Sequence, residues 1–137
     1  MWNIKYMEKI KLLKTNKEWK KLLTSIQYII LRQGGTDRAF SGNLWDNKEK
    51  GTYSCVACGN KLFSSKTKFD SGTGWPSFYA PLSEGSVFIK PLPSGIDGSE
   101  VVCAVCEGHH GHVFADGPPP TGLRFCMNDS ALKFHKQ

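Results

Sequence analysis

No apolar stretch of this 137-residue chain approaches the length needed to span a bilayer; its longest aliphatic and aromatic run is Tyr28-Ile-Ile-Leu31. A membrane-spanning helix is therefore excluded, and no membrane partner is expected. The N-terminus carries charges but no apolar h-region, which argues against a secretory leader. It is also poor in Arg and Ser, against an organellar transit peptide, so the cytoplasm is the expected compartment. Low-complexity tracts are missing, and so is any helical spacer between the short apolar runs that follow Gly35. That last absence removes the βαβ folds.

What remains is one domain with an ordinary core. The charge is mildly basic, with 18 Lys and Arg against 12 Asp and Glu. Many lysines come early, at Lys5, Lys9, Lys11, Lys14, Lys17, Lys20 and Lys21. A basic face can attract nucleic acid or an acidic surface. The plainer reading is a solvated helix face that keeps the chain soluble, with no nucleic-acid partner. Residues 1–14 read as a basic N-terminal extension and 15–137 as a single domain.

Thr15-Asn-Lys-Glu18 can form a capping box, after which Trp19, Leu22 and Leu23 share a helical face. Thr24-Ser-Ile-Gln27 repeats the box and predicts a second short helix with Ile26, Ile29 and Ile30 as its apolar set. Gly34-Gly35 ends it. Beyond that point short apolar runs such as Val87-Phe-Ile89 and Val113-Phe-Ala115 alternate with glycine and proline turns. Many short strands without helical spacers predict a mainly β, antiparallel body.

Five cysteines organise the chemistry. Cys55-Val-Ala-Cys58 and Cys103-Ala-Val-Cys106 have the spacing of a four-thiolate site for one structural zinc ion. The gap between them exceeds that of a simple zinc ribbon and leaves room for a sheet. A redox-active CxxC would open a helix in a βαβ context, which is absent. Cys126 then has no thiol left to pair with and is a candidate nucleophile, with Arg124 as an activating neighbour. The alternative for a lone cysteine is a small buried hydrophobe. His109 and His112 are candidate proton donors, or else a structural hydrogen-bonded pair. Trp75, in a glycine-rich turn, is a candidate wall or a core residue. Asn128 falls on the Cys126 face if that segment is a strand.

Several runs together resemble a family. Trp19-Lys-Lys-Leu22, Phe40-Ser-Gly42, Trp45-Asp-Asn-Lys-Glu-Lys-Gly51, Gly74-Trp-Pro-Ser-Phe78, His109 and His112 before Val113-Phe114, Asp116-Gly-Pro-Pro-Pro-Thr-Gly122 and Arg124-Phe-Cys-Met-Asn128 are similar to B-type methionine sulfoxide reductases. The match covers about residues 15–135. It implies two antiparallel sheets of the β-tent (Mss4-like) kind with short N-terminal helices, clipped by zinc. It also implies reduction of the R epimer of methionine sulfoxide, chiefly in proteins. Cys126 would be the nucleophile, His109 and His112 would position and protonate the sulfoxide oxygen, Asn128 would order that network, and Trp75 would pack on the substrate methyl. Cys55, Cys58, Cys103 and Cys106 match the zinc ligands of many members.

The chain departs from the family at Thr73, where many members carry a resolving cysteine. An external thiol, from thioredoxin or from glutaredoxin with glutathione, is then the expected reductant of a Cys126 sulfenic acid, in a protein expected to be a monomer. His110 stands where the family has an apolar residue, and Ser25-Ile26 replace Pro-Glu. Two other readings remain at this point. A zinc-stabilised binding module would need the CxxC pairs and lysines but not Cys126, Trp75 or the histidines. A zinc hydrolase using His109 and His112 would lack a third ligand and an HExxH element.

Overall fold

A computed structural model describes residues 14–137, so most of the basic extension lies outside the described residues. Two helices lead, α1 (Asn16–Leu22) and α2 (Ser25–Gln33). Both capping boxes form: Thr15 Oγ1 accepts from the Glu18 N–H, and Thr24 Oγ1 from the Gln27 N–H. Gly34, at φ +70, closes α2 in the left-handed conformation that a Cβ disfavours.

The buried helical faces differ from the expected ones. α1 buries Trp19 but leaves Leu22 62% exposed, and α2 buries Tyr28, Ile30 and Leu31 while Ile26 and Ile29 are about half exposed. Docking sets this stripe. Leu31 packs where Gly108 leaves no side chain, Arg32 Nη1 donates to the Cys106 carbonyl at 2.8 Å, and the Arg32 guanidinium lies over the Trp19 ring. No described helix is long and apolar enough to cross a membrane.

The body is two antiparallel sheets, as expected. The smaller has β1 (Gly51–Cys55) between β2 (Lys61–Ser64) and β9 (Leu132–Lys136). The larger runs, in spatial order, β3 (Lys68–Phe69), β4 (Ser77–Phe78), β8 (Arg124–Met127), β7 (His109–Phe114), β6 (Gly95–Cys103) and β5 (Val87–Leu92). Their facing sides meet in an aromatic core, with Phe63 stacked on Phe78 at 4.4 Å and Tyr53 edge-on to Phe78 at 5.1 Å. Val101, Val113, Phe125 and Met127 complete it.

Period-2 alternation decides what each central strand offers. In β8, Phe125 and Met127 point into the core, leaving Arg124 and Cys126 on the opposite face. In β7, one strand over, His112 pairs with Cys126 and Phe114 with Arg124. The four side chains therefore form one block on one face of the sheet.

Candidate active site

A bulge brings the two histidines together. Residues three apart fall on opposite faces of a regular strand, but Val101 pairs with Gly111 while Val102 pairs with His109. His110 is the extra residue, and it turns wholly into the core. His109 and His112 consequently share a face, with rings 5.3 Å apart and edge to face. Gly111 is required beside the bulge, because a Cβ there would run into the Cys126 carbonyl.

The face forms one wall of a cavity of about 250 Å³ lined by Thr73, Trp75, His112, Phe114, Arg124 and Cys126, among others. Trp75 is half-buried rather than core, and its Nε1–H donates to the Asp37 carbonyl at 3.0 Å. Asn128 also lines the cavity, but it acts as a staple: its Oδ1 accepts the Asp37 N–H at 2.8 Å, and its Nδ2 donates to the His110 carbonyl at 3.2 Å. The Asp37 carboxylate in turn accepts from the Ser130 backbone and hydroxyl. His109 is not part of the cavity wall. It lies behind His112, 5% exposed, with Nδ1 2.6 Å from Glu100 Oε2.

Cys126 stands in opposed fields. Burial pushes its thiol up, while the Arg124 charge and a hydrogen bond from Thr73 pull it down; burial wins. Arg124 is fixed by Asp116, which accepts from Nε at 2.9 Å and from Nη2 at 3.2 Å, and by the Phe114 ring at 4.5 Å. The Arg124 hydrogen bonds hold the Asp116 carboxyl below its ordinary range. His112 is pushed down by its own burial and by His109, against the carboxylate of Glu100.

The remaining four cysteines form a separate cluster, with all sulfurs within 4.8 Å of one another. Cys55 Sγ lies 3.7 Å from Cys106 Sγ, and Cys58 Sγ 3.5 Å from Cys103 Sγ. A tetrahedron with Zn–S bonds of about 2.3 Å has S–S edges of roughly 3.8 Å, so the residues fit that metal. The two knuckles are alike. In each, the first cysteine's carbonyl accepts the N–H of a residue at positive φ, Gly59 or Glu107, directly after the second cysteine. Backbone Val105 N–H and Asn60 Nδ2 approach Cys103 Sγ at 3.4 and 3.6 Å, the kind of donor a bound thiolate takes. The Cys55 and Cys106 thiols are pushed up, most by hydrogen bonding to Cys103, so full ionisation of the cluster calls for a cation. An ion held there would clip the end of β1 to the β6–β7 turn.

Sequence reading singled out Cys126, His109, His112, Trp75 and the two CxxC knuckles, but not Glu100, Asp37 or the anchoring role of Asp116. Glu100 reads in sequence as an ordinary solvent-facing strand residue. Only the register of β6 against β7 places it beside both histidines.

The SelR domain family matches residues 23–136. The chain is 55% identical over 125 residues to "Peptide methionine sulfoxide reductase MsrB" of Leptospira interrogans, covering 90% of this chain and 95% of that protein. It is 58% identical over 122 residues to the protein of the same name in Methanosarcina barkeri, covering 88% and 86%. It is 53% identical over 125 residues to "Peptide methionine sulfoxide reductase B1, chloroplastic" of Arabidopsis thaliana, covering 86% and 59%.

Proposed function

The chain belongs to the SelR-domain family of B-type methionine sulfoxide reductases and is an oxidoreductase acting on methionine sulfoxide in peptides and proteins; from this we propose that its substrate is the R epimer and that Cys126 is the nucleophile. The observation that carries the proposal is that Cys126, the one cysteine outside the four-sulfur cluster, lines the same cavity as His112, Trp75 and Arg124.

The Cys126 thiolate attacks the sulfoxide sulfur. The oxygen is a poor leaving group until protonated, so the histidine pair supplies a proton. Attack forms a sulfur–sulfur bond as the protonated oxygen leaves as water. Water then attacks the Cys126 sulfur, that bond breaks, and methionine departs with Cys126 left as a sulfenic acid and one proton returned. Arg124 steadies the thiolate against the burial that opposes it, and Thr73 contributes a hydrogen bond. Trp75 packs on the methyl group, His112 marks the corner for the oxygen, and the peptide arm leaves through the open side. Three unlike walls select one hand at sulfur.

Thr73, where a resolving cysteine stands in many relatives, carries no thiol, and the other four cysteines are gathered in the cluster. An external thiol therefore condenses with the sulfenic acid, releasing water, and a second thiol frees Cys126. Thioredoxin, or glutaredoxin with glutathione, fits that requirement. Residues 15–137 act as one domain, monomeric and cytoplasmic. Zinc held by Cys55, Cys58, Cys103 and Cys106 supplies structure alone.

The test is turnover of separated R and S epimers of a peptidyl methionine sulfoxide with dithiothreitol, with Cys126→Ser in parallel. The R epimer alone should be reduced, and the substitution should abolish it. Reduction of the S epimer, or activity surviving in Cys126→Ser, contradicts the reading.

A further inference from the structure

We propose that Glu100 is a positioning residue for this reaction: its carboxylate fixes the tautomer of His109 and holds on the His109–His112 pair the proton given to the sulfoxide oxygen. The inference rests on the function proposed above and extends it by one residue.

The geometry is specific. Glu100 Oε2 is 2.6 Å from His109 Nδ1, and an ionised carboxylate only accepts, so Nδ1 carries the hydrogen. His109 Nε2 is buried with no partner among the described residues. A buried imidazole nitrogen left bare is costly, and such exceptions call for a reason. Here the nitrogen belongs to a ring that stands edge to face with His112, whose own ring borders the cavity opposite Cys126. The order is thus Glu100, His109, His112, cavity. Glu100 also lies directly across from His112 in the β6–β7 register, so one carboxylate faces both rings. Carboxylates that fix an imidazole tautomer serve acid–base histidines in unrelated folds.

The surrounding charges leave Glu100 as the main anion beside the pair. From β5, Lys90 Nζ is 4.0 Å from the other Glu100 oxygen and partly offsets it. From β7 itself come His110, turned into the core, and His112. From β8 comes Cys126, which faces His112. From α2, the cation Arg32 is spent on the Cys106 carbonyl and the Trp19 ring. Glu100 is about one-third exposed at the side chain, while its partner His109 is 6% exposed.

The experiment is the pH profile of kcat/KM in zinc-loaded Glu100→Gln and Glu100→Asp. Glutamine keeps the size and removes the charge. The R-epimer rate at pH 8 should drop about ten-fold or more, with the loss in kcat rather than KM. The alkaline limb should move down by about one pH unit, and aspartate should recover part of both. Cys126 alkylation should be unchanged, which separates the effect from thiolate activation. Nitrogen-15 NMR of the wild-type histidines gives a second readout that survives any folding failure of the variants. It should find His109 with the hydrogen on Nδ1. A bare Nδ1, or a folded Glu100→Gln enzyme with the wild-type profile, overturns the proposal. Inactive wild-type enzyme would instead count against the function on which it rests.

Discussion

His110 is fully buried, and neither ring nitrogen has a partner among the described residues. Burial pushes its pKa down to about 4 from the ordinary 6.5. The unfolded chain therefore takes up a proton first as pH falls, so this residue subtracts stability below about pH 6.5 and leaves it untouched above. The penalty grows to about 2 kcal/mol by pH 5 and saturates below pH 4. His110→Leu, which keeps an apolar side chain in the core without the ring nitrogens, should remove it. Urea unfolding of both proteins at pH 7 and pH 5 checks this. The stability gap should widen in acid by that amount, whereas parallel pH dependences would show that His110 is not buried neutral.

The knuckles, the capping boxes and the strand alternation were readable from sequence because each depends on local chemistry. A threonine three residues before Glu18 or Gln27 caps a helix wherever that helix docks. Arg124 and Cys126 face away from Phe125 and Met127 whatever the neighbouring strand. The bulge at His110 was not readable, since it exists only against β6, and with it went the shared face of the histidines and the part played by Glu100. The helical stripes failed for the same reason. Ile26 and Ile29 look apolar enough to bury, but the helix is turned by where Leu31 and Arg32 meet the second knuckle. The knuckles themselves yield a prediction. Zinc should shield four thiols, so a thiol reagent should modify Cys126 alone in native protein and all five cysteines after chelation. Chelation should also lower Tm by more than about 10 °C, since metal binding to such sites is coupled to folding. An unchanged melting curve after the metal is removed would show that the clip contributes nothing.

The molecule as a whole is a division of labour between its two sheets. The smaller sheet and the aromatic core hold the larger one from behind, the four-sulfur cluster ties β1 to the β6–β7 turn, and α2 covers that turn. The exposed face of β7 and β8 is left free to carry the cysteine, the histidines and the arginine. The loop around Asp37 joins Trp75 on one side to Asn128 on the other, two residues that line the cavity. Cys126, the proposed nucleophile, is thereby kept apart from the four gathered thiols, as the proposed resolution by an external thiol requires.

A single-turnover measurement tests that claim most directly. Zinc-loaded protein, freed of reductant, is mixed with excess R-epimer peptide and analysed by mass spectrometry with a sulfenic-acid trap. The account predicts about one methionine formed per chain, the trap attached to Cys126, and no intramolecular disulfide. A disulfide between Cys126 and any of Cys55, Cys58, Cys103 or Cys106, or methionine formed with Cys126 unmodified, would contradict it.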